Sequence, residues 1–214
     1  DPANEGIRNR WYADRAFTDS ISLPGSTDEA QMGEVTGERC VERLSRPWRW
    51  IGPVWYRRTV TVPKRWADKR VTLFLERTKD SQVWVDGVWA GGDDSLSSPH
   101  EFDLSDRLSP GKHSLTILVD NAKLPPVGPC HQVDERTQTN WNGILGRIEL
   151  IAAPKIRLHD IQAYPDPENG VIRVTARLLN DTDWRGEVNL AVSADVVGDG
   201  GGANLRIPSR RLTV

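Results

Sequence analysis

Cysteine is scarce in this sequence, since Cys40 and Cys130 are the only two in 214 residues. Two cysteines exclude a scaffold held together by several disulfides, and they exclude a metal site built from cysteine alone. The sequence leaves two states open for them, one bridge between Cys40 and Cys130 or two free thiols.

Long apolar runs and an excess of one charge are also missing. No run reaches the roughly 18 apolar residues of a membrane-spanning helix, and the first residues, Asp1 to Glu5, do not resemble a signal peptide. The formal net charge is -2 and 27% of the residues are charged, so the surface is mixed. A mixed surface argues against nucleic acid and anionic membranes as partners. We therefore expect a soluble protein with neither kind of partner.

Helical periodicity is absent up to residue 152, where apolar and polar residues alternate in short runs between turn residues. Strands are predicted at residues 54–62, 71–76, 100–104 and 112–120, with a hairpin at 81–89. The hairpin turns at Asp86-Gly87, because this pair favours a tight primed turn. Short strands spaced by turns indicate a β-sandwich or jelly roll.

The pattern changes after Ala152-Ala153-Pro154. Further strands are predicted at residues 155–158, 161–164, 171–179 and 186–194, and the last residues begin another. These are about four strands where an immunoglobulin-like sandwich has about seven. We therefore predict an all-β chain of two domains, a jelly-roll β-sandwich over residues 1–153 and a partial immunoglobulin-like β-sandwich, cut short, over residues 154–214.

The aromatic residues are divided unevenly, with nine tryptophans against three phenylalanines and three tyrosines. An indole combines a wide apolar face with one N–H donor, which suits contact with a carbohydrate. Packing in the core and between elements is nevertheless the ordinary role of most tryptophans. Trp48 and Trp50 precede a core strand and are expected to pack.

One stretch, from Gln138 to Leu150, begins as an amide-rich loop around a tryptophan, passes Gly143 and Gly146, and ends as an alternating strand. The two glycines permit backbone angles or close approaches that a Cβ would obstruct, so the loop can be held in a fixed arrangement. Amides can bond sugar hydroxyls, and the C–H face of a sugar can stack on an indole. The candidate substrate-binding residues are Gln138, Asn140, Trp141, Asn142 and, in the preceding proline-rich loop, His131. Structural anchoring is the alternative for Trp141 and Asn142.

Carboxylates and histidines form no catalytic pattern in the sequence. Glycoside hydrolysis needs two facing carboxyl groups, whereas the adjacent pairs Asp93-Asp94 and Asp134-Glu135 point in opposite directions along an extended chain. The four histidines lack a metal-ligand spacing, and no Gly-x-Ser-x-Gly or phosphate-binding motif occurs. We predict no catalytic residue, no metal and no cofactor. Ca²⁺ bound by Asp93, Asp94 and Asp103 is the alternative to a solvated loop.

Several motifs occur in an order that resembles one family. They are Pro53-Val54-Trp55-Tyr56-Arg57-Arg58-Thr59-Val60-Thr61-Val62-Pro63, Trp66, Val83-Trp84-Val85-Asp86-Gly87, Glu101-Phe102-Asp103-Leu104, Pro110-Gly111-Lys112-His113, and Trp141-Asn142-Gly143-Ile144 followed by Arg147. The segment from about residue 11 to 152 resembles the N-terminal sugar-binding domain of family 2 glycoside hydrolases, which include β-galactosidases and β-glucuronidases. The next segment resembles the immunoglobulin-like second domain of that family.

The resemblance implies an exo-acting glycosidase whose two catalytic glutamates lie in a TIM barrel, which alone needs about 250 residues. This chain is then expected to be the non-catalytic N-terminal region, inactive by itself, which supports the barrel and shapes its sugar pocket. In the family an acid near an aromatic residue of this loop contributes to the pocket. Here Gln138, Thr139 and Asn140 precede Trp141, and the nearest acid before it is Glu135, so an amide would replace the acidic contact.

The resemblance also implies a periplasmic or secreted bacterial protein. A freestanding carbohydrate-binding module or lectin is the alternative function, because amides beside an indole can bind a sugar without a barrel. A structural adhesion module is a third hypothesis, and it leaves the polar loop around Trp141 without a role.

Overall fold

A computed structural model describes residues 1–37, 39–41, 45–123, 140–195 and 204–213. Contacts within the chain divide it into two units, Asp1–Ala153 and Pro154–Val214. Across the described residues there is no α-helix, and the helical element present is a short 3₁₀ turn at Lys64–Trp66. Consequently, no helix in the described ranges is long and apolar enough to cross a membrane.

The first unit is built from strands. Its described residues form β1 (Gly25–Ser26), β2 (Glu34–Val35), β3 (Trp48–Arg49), β4 (Pro53–Val62), β5 (Lys69–Arg77), β6 (Asp80–Val85), β7 (Val88–Asp93), β8 (His100–Asp103), β9 (Gly111–Asp120) and β10 (Gly143–Pro154). Two four-stranded sheets have the orders β1-β10-β5-β8 and β4-β9-β6-β7, and β2 pairs with β3. Strand β4 is therefore an edge strand, with β9 as its neighbour.

The core of this unit lies between the two four-stranded sheets. Successive side chains of a strand point to opposite faces, so alternate residues of each sheet face inward. Leu73 and Leu75 of β5 are buried, as are Val83 of β6 and Val119 of β9. All four belong to one apolar cluster, which draws on both sheets. The all-β sandwich predicted from the alternation is confirmed.

The predicted hairpin at Asp86-Gly87 is also confirmed, because β6 and β7 pair antiparallel up to Val85 and Val88. Asp86 has φ +49° and Gly87 φ +77°, the left-handed angles that a primed turn requires. Strand β7 continues to Asp93, past residue 89, where the predicted hairpin ends.

Residues 1–17 cover the outer face of the sheet that contains β4. Tyr12 stacks on Trp84 of β6 with ring centroids 5.1 Å apart and planes 5° apart. Trp84 also lies 5.3 Å from Trp55 of β4, and it is only 3% exposed. The sequence pattern of residues 1–17 is irregular and predicts no element that would cover the sheet. From the alternation of the strands alone, this face would be exposed to water. The structure closes it with aromatic stacking.

Within its described residues, the second unit has two antiparallel strand pairs. Strand β11 (Ile156–Asp166) pairs with β12 (Val171–Asn180), and β13 (Glu187–Asp195) pairs with β14 (Asn204–Thr213). The two strands predicted at residues 155–158 and 161–164 are one strand, which corrects the sequence interpretation. A bulge between His159 and Gln162, with φ +54° at Asp160, lets pairing continue past the irregular point. The immunoglobulin-like sandwich stays a prediction for this unit.

Candidate functional site

The candidate site is the loop that enters β10, and the structure describes it from Asn140 onward. Gln138 and His131, the other two candidate residues, lie outside the described residues. Gly143 opens the strand with φ +146°. A Cβ at this position would lie 2.4 Å from the carbonyl oxygen of Gly25 on β1, so the close approach predicted for this glycine is present.

Asn140 points into the protein. Its side chain is 4% exposed, and its Nδ2 donates to the carbonyl oxygen of Asn121 at 2.7 Å. The Asn140 carbonyl oxygen accepts from Asn121 Nδ2 at 2.9 Å and from Arg46 Nη1 at 2.8 Å. These three hydrogen bonds fix the loop to the end of β9 and to the segment around residue 46.

Asn142 is likewise committed to the interior, with no exposed surface. Its Nδ2 donates to the carbonyl oxygen of Gly52 at 2.8 Å and lies 3.2 Å from Asn121 Oδ1. The Asn142 carbonyl oxygen accepts from the backbone N–H of Thr27 at 2.9 Å. Asn142 therefore joins β10 to the strand ends around it.

A buried ion pair supports this amide network. Arg46 is 3% exposed and holds the carboxylate of Asp28 with two bonds, Nε to Oδ1 at 2.8 Å and Nη2 to Oδ2 at 3.1 Å. The two-pronged geometry fixes the guanidinium, whose third nitrogen then donates to Asn140. Sequence patterns gave no signal for Arg46 or Asp28, because their partners are distant in the chain.

Trp141 is the side chain of this loop that keeps exposed surface among the described candidates. The ammonium group of Lys79 lies 4.6 Å from the centre of its ring, in a cation–π contact, and Lys79 itself is buried. The neighbouring Thr78 Oγ1 donates to the carbonyl oxygen of Gly143 at 2.9 Å. The structure thus anchors Asn140 and Asn142 internally, and the sugar contact predicted for the loop, which stays a prediction, depends on Trp141.

Arg147 follows Gly146 of β10, which has φ +71°. Its Nε and backbone N–H both donate to Glu76 Oε2, at 3.1 and 2.9 Å. The backbone N–H and the guanidinium of Arg147 lower the pKa of Glu76. Arg147 thus pairs with a carboxylate on the sheet surface, and both of its donors are committed to Glu76.

The other carboxylates considered from the sequence are dispersed. Asp93 Oδ1 accepts from the backbone N–H of Ser95 at 2.9 Å, while Asp103 pairs with Arg70 at 2.5 Å. Asp134 and Glu135 lie outside the described residues. In the described ranges, no three His, Cys, Asp or Glu side chains are arranged to hold a metal ion. Cys40 has a free thiol, and Cys130 is also outside the described residues.

A serine–histidine contact that the sequence analysis did not anticipate lies in the core. Ser81 Oγ is 2.7 Å from His100 Nδ1, and His100 Nε2 is 2.7 Å from the carbonyl oxygen of Ser95. Both side chains are essentially without exposed surface. A nucleophile needs access to its substrate, so this contact is a structural tie between β6 and β8.

Comparison with known proteins agrees with this architecture. The family model described as glycosyl hydrolases family 2, sugar binding domain, matches residues 1–154. The chain is 25% identical over 238 residues to a β-glucuronidase of Paenibacillus borealis, covering 99% of this chain and 38% of that protein. It is 24% identical over 246 residues to the β-glucuronidase of Sus scrofa, covering 99% and 36%.

The crystal structure of Ruminococcus gnavus β-glucuronidase superposes with a TM-score of 0.66 at 17% identity, over 100% of this chain and 36% of that chain. The chain therefore spans little more than a third of the length of these relatives. The family match covers 154 of the 214 residues, with every strand of the first unit and the Trp141 loop inside it. The chain belongs to the family of the glycosyl hydrolases family 2 sugar binding domain.

Proposed function

We propose that this chain is the non-catalytic N-terminal region of a glycosidase that hydrolyses terminal β-glycosidic bonds. In this proposal it supports a catalytic TIM barrel of the same longer protein and shapes the sugar pocket of that barrel. The relatives named above are β-glucuronidases, and others are β-galactosidases, such as that of Psychromonas ingrahamii at 28% identity over 113 residues. Both names denote hydrolysis of a β-linked terminal sugar.

The observation that carries the proposal is the rigid presentation of Trp141. Asn140 before it and Asn142 after it are tied to Asn121, Gly52 and Arg46. An indole held between two buried anchors has little freedom to lose when a sugar stacks on its face, which favours binding. One aromatic ring on a fixed loop is a suitable wall for a pocket whose other walls belong to another domain.

The carboxylates near this loop support a non-catalytic role. Glu76 is bonded to Arg147, and Asp28 is bonded to Arg46. A retaining glycosidase needs two carboxyl groups about 5 to 5.5 Å apart across the scissile bond, one of them free to transfer a proton. The backbone N–H and the guanidinium of Arg147 lower the pKa of Glu76, which makes it a poor general acid.

Two assays test this proposal. The purified 214-residue chain is expected to release no nitrophenol from nitrophenyl β-D-galactoside or β-D-glucuronide above the buffer rate. Turnover that survives repeated purification would contradict the non-catalytic role. In the full-length protein, Trp141→Ala is expected to lower kcat/KM at least tenfold, whereas Trp89→Ala, an exposed tryptophan on β7, is expected to leave it unchanged.

A freestanding carbohydrate-binding module is the second candidate function. A cleft of about 570 Å³ in the first unit, whose lining includes Trp11, Trp50 and Trp55, favours it, because such a cleft can bind a sugar without a barrel. Saturable sugar binding by the isolated chain would distinguish this function from a pure scaffold. A scaffold is expected to contact the sugar only when the catalytic barrel is present.

For the location of the protein we propose the periplasm or the extracellular medium. The support is the resemblance to exported bacterial enzymes of this family. Fractionation of the source cells, with an antibody against this chain, tests the proposal. Recovery of the protein in the cytoplasmic fraction alone would contradict it.

A further inference from the structure

The sequence contains two Asn-Gly pairs, Asn142-Gly143 and Asn169-Gly170. Asparagine is among the thermolabile residue types. When glycine follows it, the backbone nitrogen of the glycine can attack the side-chain carbonyl carbon, because no Cβ obstructs the approach. The attack requires rotation of the asparagine side chain and of the backbone between the two residues. The fold places the two pairs in opposite surroundings, so their reactivity should differ.

The pair Asn142-Gly143 is fixed on both sides of its peptide bond. The Asn142 side chain has no exposed surface, and its Nδ2 donates to the carbonyl oxygen of Gly52 at 2.8 Å. The Asn142 carbonyl oxygen accepts from the backbone N–H of Thr27 at 2.9 Å. Gly143 pairs with Ser26 of β1 in the sheet. The Gly143 nitrogen therefore reaches the Asn142 side-chain carbon only if these buried contacts break.

The pair Asn169-Gly170 lies in the turn between β11 and β12. Asp166 and Val171 are the last paired residues of the two strands, so the turn consists of residues 167–170, all of which are exposed. Gly170 has φ +62°, and a Cβ there would have no neighbour within 4 Å. Its N–H donates no hydrogen bond to another residue in the described part of the chain. The attacking nitrogen is therefore uncrowded and unbonded.

Asp166 contacts the Asn169 amide through nitrogen atoms. Its Oδ1 accepts from the Asn169 backbone N–H at 3.2 Å, and its Oδ2 accepts from Asn169 Nδ2 at 2.8 Å. Neither bond involves the side-chain carbonyl carbon, which is the atom that the Gly170 nitrogen attacks. Both bonds are exposed to solvent, and contacts of this kind in a turn open locally at low cost. The turn therefore permits the rotation that the reaction needs.

We propose that Asn169 is a deamidation site and that the fold protects Asn142 from the same reaction. The Gly170 nitrogen forms a bond to Cγ of Asn169, the Cγ–Nδ2 bond breaks, and the Gly170 proton leaves with the Nδ2 group as ammonia. Water then opens the resulting succinimide ring at either of its two carbonyl carbons. The products are aspartate at position 169, or isoaspartate, in which the chain continues through the side-chain carbonyl carbon.

Either product replaces a neutral amide with a carboxylate, so the chain becomes one charge more negative than its formal net charge of -2. Asp166 loses the Nδ2 donor that lies 2.8 Å from its carboxylate and faces a like charge instead. Isoaspartate also adds one backbone carbon to the turn that joins β11 and β12. The modified chain should therefore separate from the original on an ion-exchange column.

The experiment incubates the folded 214-residue chain at pH 8 and 37 °C in H₂¹⁸O and digests it with trypsin in ordinary water. Trypsin separates the two pairs, since residues 137–147 carry Asn142 and residues 158–173 carry Asn169. Opening of the succinimide takes its oxygen from water, so ¹⁸O in the product marks conversion that preceded digestion. We expect the peptide with Asn169 to convert at least tenfold faster than the peptide with Asn142.

The same incubation in guanidinium chloride removes the fold, and both peptides should then convert at similar rates. Asn169→Gln, which would need a larger ring, should abolish the acidic form of the folded chain on ion exchange. Its matched control, Asn189→Gln, changes an exposed asparagine of β13 that precedes Leu190 and should keep that form. Similar conversion of the two peptides in the folded chain would overturn the proposal. An Asn169 that converts in guanidinium chloride and not in the folded chain would overturn it as well.

Discussion

The side-chain amide of Asn142 donates a hydrogen bond to the carbonyl oxygen of Gly52 at 2.8 Å, across 90 residues of sequence. Gly52 directly precedes β4, and Asn142 directly precedes β10. The backbone N–H of Gly52 also donates at 2.9 Å to Oδ1 of Asn121, which directly follows β9. Strand ends from both four-stranded sheets therefore meet at one buried polar point.

Asn142→Ala is expected to destabilise the first unit. The substitution removes a buried donor that the Gly52 carbonyl oxygen and Asn121 Oδ1 share, and both acceptors keep another partner. The expected loss is therefore that of a hydrogen bond, about 0.5–1.5 kcal/mol, plus the cost of the cavity left behind. Urea unfolding followed by tryptophan fluorescence measures the change. Asn189→Ala, at an exposed position of β13, is the control and should change stability by less than about 0.5 kcal/mol. Equal stability of the two variants would contradict a structural role for Asn142.

Gly143→Ala tests the close approach of β10 to β1. Gly143 and Gly111 have nearly the same backbone angle, with φ +146° and +145°. A Cβ at Gly143 would lie 2.4 Å from Gly25 O, whereas a Cβ at Gly111 would have no neighbour within 4 Å. Both substitutions carry a backbone cost of about 1–3 kcal/mol.

Gly143→Ala adds a steric clash to that cost, so its free energy of unfolding should fall below that of Gly111→Ala by about 2 kcal/mol or more. Chemical denaturation of both variants gives the difference. If the two variants lose the same stability, the clash at Gly25 is absent in solution.

The pair formed by Asp86 and His113 predicts a pH dependence of stability. His113 Nδ1 lies 2.6 Å from Asp86 Oδ2, and this hydrogen bond, with the Ser109 carbonyl and the Asp86 charge, raises the pKa of His113 against the effect of burial. Burial alone would raise the pKa of Asp86, but the His113 and Ser114 hydrogen bonds outweigh it and lower that pKa.

The pKa of His113 is higher in the folded protein than in the unfolded chain. Its contribution to stability is therefore complete below the unfolded-state pKa of about 6.5, and it is lost as the pH rises through the folded-state pKa. A lowered aspartate pKa gives stability that is present above about pH 3.9 and lost as the pH falls through the folded value. The contribution of the pair is therefore largest between about pH 4 and pH 6.5. Unfolding free energies at pH 5.5 and pH 9, in wild type and His113→Gln, measure it.

From pH 5.5 to pH 9, the free energy of unfolding of His113→Gln should fall less than that of wild type. His159→Gln, at an exposed position of β11, is the matched control and should keep the wild-type difference. An unchanged pH difference in His113→Gln would show that the pair does not couple to folding.

Tyr56→Phe is expected to leave the protein as stable as wild type or more stable, by up to about 1 kcal/mol. Tyr56 is buried in the apolar cluster, and its hydroxyl has no hydrogen-bond partner among the described residues. Burial also raises the pKa of this phenol. Tyr12→Phe, at a half-buried tyrosine, is the control. A loss of more than about 1 kcal/mol in Tyr56→Phe would reveal a partner for the hydroxyl.

Local patterns in the sequence predicted much of the fold. The Asp86-Gly87 turn depends on the backbone freedom of two adjacent residues, and the strand around Leu73 and Leu75 depends on alternation with a period of two. Both properties are encoded within about ten residues. The irregular alternation at Asp160 predicts the end of a strand, whereas the structure has a bulge there. A bulge and a strand end interrupt the alternation in the same way, and only the partner strand distinguishes them.

The candidate site could be located from the sequence only in part. Two glycines and a tryptophan among amides indicated a fixed polar loop, and the loop is fixed. An amide can bond a ligand or a backbone carbonyl equally well, so the sequence did not determine which partner Asn140 and Asn142 have. The partners are Asn121, 19 residues from Asn140, and Gly52, 90 residues from Asn142.

By itself, the sequence determined the strands, the tight turns and the family, because these depend on neighbouring residues and on the order of motifs. The tertiary structure alone decided that the loop amides face inward and that Trp141 rests against Lys79. It also brought Trp11, Trp50 and Trp55 to one cleft. The physical reason is that the partner of a polar or aromatic side chain is whatever segment the fold packs against it, and that segment is distant in the chain.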